Sequence, residues 1–248
     1  MFRWEPGGVE RRQDYRITAG ADTTVLDALV EIQRGQDQTL AFRYACRVGM
    51  CGSCAMVING RERWACRTRL CTLGAEVVEV RPLYHFPLLR DLVVDMAPLH
   101  GALDTVGAAL VPRPGAPTYA RVAASAERRR IDAAIECIGC GMCVSACTMV
   151  AHAPRFPGPA ALNRLFTLVQ DQRDGALESR WQALLAEDAL SRCHGQGNCT
   201  AVCPMGLAPS ASIAHLKRLG VLRLLGIRRP PRAGAPASRS LDGTRTGS

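Results

Sequence analysis

Cys137-Ile138-Gly139-Cys140-Gly141-Met142-Cys143-Val144-Ser145-Ala146-Cys147 packs four of the chain's twelve cysteines into eleven positions. Its distant partner is Cys193-x5-Cys199-x3-Cys203-Pro204. In a C-x2-C-x2-C-x3-C run, three thiolates on one short loop close around one face of an iron–sulfur cube, and the fourth ligates another cluster. By the fourth position the chain has entered a helix that points away. Crossing the ligands on that logic puts Cys137, Cys140, Cys143 and Cys203 at one site, and Cys147, Cys193 and Cys199 at a second. Four thiolates suit a [4Fe–4S] cluster; three suit a cube missing one corner, [3Fe–4S]. Where the second run would carry its middle thiolate it has Gln196, a poor iron ligand.

A third set lies upstream: Cys46-x4-Cys51-x2-Cys54, then Cys66 after eleven residues. C-x4-C-x2-C…C is the plant-type [2Fe–2S] spacing. Gly49 and Gly52 suit a loop that must wrap closely and offer N–H groups to sulfur. A structural zinc site also uses four cysteines, but zinc hairpins usually read C-x2-C twice. Arg43, Arg47, Arg61 and Arg63 crowd this region. They either raise the cluster's potential by stabilising its reduced form or are ordinary solvated arginines. Cys71 is the cysteine left over, and a buried free thiol is the expectation for it.

With 248 residues, 48% hydrophobic and 21% charged, the chain is long enough for one large or two small globular domains. It has no apolar run of membrane-spanning length. The start, Met1-Phe2-Arg3-Trp4-Glu5-Pro6, lacks the apolar core of a signal peptide. A reducing compartment follows, where dense cysteine means metal binding rather than disulfides. The formal net charge is +9, almost all of it from arginine, since Lys217 is the only lysine. No nucleic-acid motif accompanies that charge, so nucleic acid is not an expected partner.

Residues 13–18 alternate like a strand, and Asp22-Thr23-Thr24 precedes an amphipathic helix with Val25, Leu26, Leu29, Val30 and Ile32 on its apolar face. Residues 38–44 read as extended. Asn59-Gly60 predicts a hairpin turn between residues 55–58 and 63–65, and residues 77–80 read as a closing strand. Two hairpins with one helix across the sheet make a β-grasp arrangement. Residues 90–96 read as a helix between the domains, and 99–110 as helical. Pro112, Pro114, Gly115 and Pro117 mark a linker. Beyond it, helices are expected over 121–137, 160–172, 179–189 and 209–219, with Gly220 as the last C-cap and 222–227 as a short basic extension. Past Arg228 the composition is that of a disordered tail. The fold class is therefore α+β. A β-grasp [2Fe–2S] domain covers 1–96 and a connecting helix and linker 97–119. An all-α ferredoxin domain with two clusters follows over 120–226, then a tail over 227–248.

With three cluster sites in this order, residues 1–225 resemble the iron–sulfur subunit of the succinate dehydrogenase/fumarate reductase family. The resemblance rests on Thr39-Leu40-Ala41-Phe42-Arg43 before Cys46, on Met50-Cys51-Gly52-Ser53-Cys54 through Asn59-Gly60, and on Phe86-Pro87 before Arg90-Asp91-Leu92. Phe156-Pro157-Gly158-Pro159, Asp171-Gln172-Arg173-Asp174 and Cys193-His194 add to it. It implies an electron wire with no carbon chemistry of its own. A flavoprotein partner with covalent FAD interconverts succinate and fumarate. Electrons pass singly through [2Fe–2S], [4Fe–4S] and [3Fe–4S] centres to or from a quinone at membrane anchor subunits. The implied location is the cytoplasmic face of the membrane.

The departures from the family pattern lie at the quinone end. Thr148 stands where proline is common, Ala151 and His152 where tryptophan is frequent, and Met205 where lysine often follows Cys-Pro. His194 matches a family histidine beside the three-iron cluster; it is either a quinone contact or a polar residue near a cluster loop. His85, His100 and His215 do not fall at metal-ligand spacing and read as structural or surface residues. The alternative functions are an electron-transfer protein serving a different soluble or thiol-dependent oxidoreductase, and a zinc-stapled scaffold.

Overall fold

The computed structural model describes residues 1–115 and 126–227. The expected tail and part of the expected 121–137 helix lie outside the described residues.

The first domain is organised around helix α1 (Val25–Gly35). Thr24 caps it: its hydroxyl accepts from Asp27 N–H while the Asp27 carboxylate accepts from Thr24 N–H, so two orphan donors are satisfied reciprocally. Val25, Leu26, Ala28, Leu29 and Ile32 form its buried stripe. Strands β1 (Phe2–Arg3) and β2 (Arg11–Arg12) pair antiparallel. Strands β3 (Ala55–Ile58) and β4 (Arg61–Trp64) form the hairpin that Asn59-Gly60 announces, both turn residues having positive φ, 48° and 73°. Strand β5 (Val80–Arg81) joins the other side of β3, giving the order β4-β3-β5. Phe2, Leu29, Leu40, Met56, Ile58 and Val80 fill the space between helix and sheet.

Three expectations for this half need correction. Residues 13–18 form no strand, because the pairing with Met1 stops at Gln13 and the Arg16 carbonyl is taken by the Gln36 side chain at 2.6 Å. The closing strand is shorter than 77–80 suggests, and Val77 is exposed. Residues 90–96 are not a helix. β6 (Leu88–Arg90) and β7 (Val93–Val94) form a hairpin, with Asp91 at φ 45° in its turn. The Asp91 carboxylate explains the turn. It is buried and accepts from Arg3 Nε at 2.8 Å, Trp4 N–H at 3.1 Å and Ala41 N–H at 2.9 Å. Arg3, itself 2% exposed, also holds Asp37, Tyr15 and Thr39, so β1 is clasped to two distant loops.

Helix α2 (Ala97–Thr105) leads into the second domain, which contains α3 (Ala126–Ile131), α4 (Met142–Ser145), α5 (Thr148–His152), α6 (Gly158–Gln170), α7 (Leu177–Leu185), α8 (Asn198–Ala201) and α9 (Pro209–Leu224). Helix α6 is its axis: Leu162, Leu165, Phe166 and Leu168 are buried against α2, α7 and α9. Asn163 bridges across it, donating to the Ala134 carbonyl and accepting from the Ser212 hydroxyl. Arg180, buried against Asp174 at 3.0 Å, also donates to the Gly107 and Ala109 carbonyls and so staples the connector to this domain. Gly220 does not end the last helix, which continues to Leu224. A side chain there would sit 3.3 Å from Leu185 and 3.7 Å from Trp181, so the glycine serves close helix packing instead.

Candidate iron–sulfur centres

The first cysteine set is built by the loop before β3 and the turn after β4. The hairpin is therefore flanked by two of its members, Cys54 and Cys66, both buried. Arg47, Gly49 and Gly52 take positive φ in the loop and coil it around Cys46, whose sulfur accepts N–H groups from Met50 at 3.2 Å and Cys51 at 3.3 Å. Those N–H groups, with that of Val48, lower the Cys46 thiol to about 6, so this position holds a thiolate readily. Burial pushes Cys54 up to about 12, with the Cys66 N–H opposing the shift and the Cys66 and Cys51 thiols adding to it. The Sγ atoms of Cys46 and Cys51, and of Cys54 and Cys66, are thus near neighbours.

Gly49 and Gly52 are glycines for steric reasons as well as for φ. A Cβ on Gly49 would lie 2.8 Å from Arg67 and 3.0 Å from the Trp64 ring. A Cβ on Gly52 would lie 2.6 Å from the Cβ of Cys140 and 3.1 Å from its Cα. The first cysteine loop therefore sits directly on a cysteine of the second domain.

In that domain seven cysteines divide between two cavities. One is lined by Cys137, Cys140, Cys143 and Cys203. The other is lined by Cys147, Cys193 and Cys199, together with His194 and Gln196. The electrostatics divides the same way. Burial, with smaller contributions from Cys137 and Cys203, raises Cys140 to about 11. Burial raises Cys147 and Cys199, and each feels Cys193. Cys143, raised well above the ordinary thiol range by burial, feels its own set and also Cys199, so the two cavities adjoin. Thiols this buried are protonated without metal, so loading must release protons. Glycines Gly139 and Gly141, and Gly195 and Gly197, all at positive φ, turn the two loops at equivalent places.

Gln196 lines the three-cysteine cavity but is committed elsewhere, its side-chain oxygen accepting from Thr148 Oγ1 at 2.6 Å. Two of the positions that mark this chain's second domain thus meet each other. The ammonium of Lys217 donates to the Cys193 carbonyl, a contact that spacing along the chain does not reveal. Cys71 is exposed rather than buried, its thiol donating to the Ala21 carbonyl at 3.1 Å, because the short 3₁₀ turn that carries it buries no residue. Among the described residues no three His, Cys, Asp or Glu side chains converge tightly enough for one metal ion. Rings of thiols around cavities are the arrangement a polynuclear cluster needs.

The two domains also meet away from Gly52. The Glu62 carboxylate, buried on β4, accepts from the Ser145 hydroxyl at 2.7 Å, and Ser145 accepts from Tyr84 N–H at 2.9 Å. Arg61 donates to the Ala201 carbonyl at 2.8 Å. The sequence reading missed both contacts; the period-2 alternation of β4, which turns Glu62 inward and Arg61 outward, was the available signal. Leu83, Phe86, Val94, Leu99 and Met142 fill the apolar seam beside them.

A family model for a 2Fe-2S iron-sulfur cluster binding domain matches residues 1–101, and one for a 4Fe-4S dicluster domain matches residues 133–207. The chain is 38% identical over 227 residues to succinate dehydrogenase [ubiquinone] iron-sulfur subunit 2, mitochondrial, of Oryza sativa subsp. japonica, covering 88% of this chain and 73% of that protein. A solved structure, the Mycobacterium smegmatis Sdh1 complex in the apo form, contains a chain that superposes with a TM-score of 0.82 at 29% identity, over 90% of this chain and 94% of that one. A β-strand domain carrying the upstream cysteines, a helical domain carrying the rest, and kinship over nearly the whole length lead to one conclusion: the chain belongs to the succinate dehydrogenase iron–sulfur subunit family and is an electron-transfer subunit.

Proposed function

We propose that this chain carries [2Fe–2S] on Cys46, Cys51, Cys54 and Cys66, [4Fe–4S] on Cys137, Cys140, Cys143 and Cys203, and [3Fe–4S] on Cys147, Cys193 and Cys199. In this reading residues 1–96 and 120–226 are the two electron-carrying domains. Bound there, the clusters supply one-electron carriers between the FAD of a flavoprotein subunit, where succinate and fumarate interconvert, and a membrane quinone. The observation that carries the reading is the four-to-three division of the second domain's cysteines between two adjoining cavities. The chain's own contribution is to hold the thiolates. Loop N–H groups favour the charged form of Cys46, while burial favours the neutral thiols of Cys54, Cys140 and Cys143 until a cluster binds. His194, lining the three-cysteine cavity, is the residue we assign to quinone contact. Among the described residues no helix is long and apolar enough to cross a membrane, which suits a subunit held at the cytoplasmic face by anchor subunits.

The test is EPR of the anaerobically purified chain. An oxidised [3Fe–4S] cluster is paramagnetic, whereas oxidised [2Fe–2S] and [4Fe–4S] clusters are silent. The expected result is one signal in the oxidised protein, lost on mild reduction. Gln196→Cys adds a thiolate to the three-cysteine cavity and should abolish that signal, with iron rising toward a second four-iron cluster. An oxidised wild-type protein without the signal, or zinc without acid-labile sulfide, would sink the assignment.

A further inference from the structure

The β3–β4 hairpin is a rod with cysteines at its base and two domain contacts near its tip. Cys54 precedes it and Cys66 follows it, while Arg61 and Glu62 stand just past its turn. These neighbours point to opposite faces of the strand and reach different parts of the helical domain. Glu62 holds Ser145, which lies between Cys143 and Cys147. Arg61 holds Ala201, which lies between Cys199 and Cys203. Each of those short segments connects a cysteine of one cavity to a cysteine of the other. The hairpin therefore grips both places where the chain crosses between cavities. At its base, Gly52 rests against Cys140. Three points of contact define a plane.

We infer that Arg61 and Glu62 are positioning residues of the electron relay, a two-point clamp that fixes the first cysteine loop over the four-cysteine cavity; the inference rests on the ligand assignment proposed above. The Arg61 contact is exposed, but two features set the Glu62–Ser145 contact apart from an incidental surface contact. Glu62 is a buried carboxylate that, among the described residues, makes no ion pair within 4.0 Å, an expensive arrangement unless its hydrogen bond is needed. The Ser145 hydroxyl directs both of its hydrogen bonds to the first domain, giving its proton to Glu62 and accepting the Tyr84 N–H. Electron exchange falls off with separation, so a shift of the first cysteine loop relative to the four-cysteine cavity slows it.

The test uses the full chain purified anaerobically, with iron, sulfide and the oxidised EPR signal measured first. Absence of that signal in the wild type would mean the ligand assignment has failed, separately from the clamp. Arg61→Ala and Ser145→Ala should keep their iron and sulfide. The relaxation enhancement of the reduced [2Fe–2S] signal by the neighbouring reduced cluster should nevertheless weaken, and intrachain electron equilibration after flash reduction should slow by about tenfold or more. Arg61→Lys retains a donor and Glu62→Gln an acceptor, so both should restore coupling. Glu62→Ala and Glu62→Gln remove the same charge and should shift the neighbouring cluster's potential alike, but only the alanine should lose coupling. Wild-type coupling in Arg61→Ala, Ser145→Ala and Glu62→Ala would overturn the clamp, as would equal loss in Glu62→Ala and Glu62→Gln.

Discussion

Gly52→Ala is expected to wedge the two domains apart. The residue sits at φ 72°, where an L side chain costs about 1–2 kcal/mol. The added methyl would meet the Cβ of Cys140 at 2.6 Å and its Cα at 3.1 Å. Neither atom is the free end of a flexible side chain, so the backbone of one loop or the other must move. Overpacking of this kind adds about 1–3 kcal/mol. The measurement is the thermal midpoint of visible-absorbance loss at a fixed scan rate. The midpoint should fall by about 2–4 °C per kcal/mol for a chain of this size. Cluster content at low temperature should be lower in both domains, because the methyl sits between the cysteine loops of the two domains. A variant with wild-type midpoint and full iron would show that the loops are not in contact.

Asp91→Ala should be the most damaging change outside the cysteines. It removes one member of a buried pair, a loss that costs about 3–5 kcal/mol where the survivor is left without a counter-charge, and less here because Asp37 still pairs with Arg3. Arg3 would keep Asp37, Tyr15 and Thr39, so much of the loss falls on the Trp4 and Ala41 N–H groups that Asp91 accepts. Asp91→Asn keeps two polar atoms but only one acceptor and should fall between. Hydrogen exchange would localise the effect. Protection should drop in the 1–13 and 38–44 backbone well before it drops in α6 of the second domain. Uniform loss across both domains, or a change under about 1 kcal/mol, would contradict a local clasp.

The sequence was most legible where chemistry is local. Cysteine spacing, the Asn59-Gly60 turn and the Thr24 cap are decided by a few adjacent residues, and the turn and the cap each have their counterpart in the structure. Residues 90–96 misled because Leu92, Val93 and Val94 pack equally well from a hairpin. What selects the hairpin is the bonding of Asp91 to Arg3 and Ala41, residues remote in sequence that no periodicity links to it. Gly220 has the same character: a glycine late in a helix signals an end unless Trp181 and Leu185 lie against it. Cys71 is exposed because a short surface turn carries it, which the residue type alone does not reveal. The domain seam was least legible of all. Glu62 and Ser145 are 83 positions apart and Arg61 and Ala201 are 140 apart, and neither pair is a motif.

The Arg3–Asp91 clasp also dictates when the first domain can close during synthesis. Its partners are separated by 88 positions, so the N-terminal strand emerges early and must wait for residue 91 before it can be sealed. Cys46, Cys51, Cys54 and Cys66 all leave the ribosome during that wait. The nascent first domain thus presents these four thiols in an open form, and the last residues translated before closure act as the latch over them.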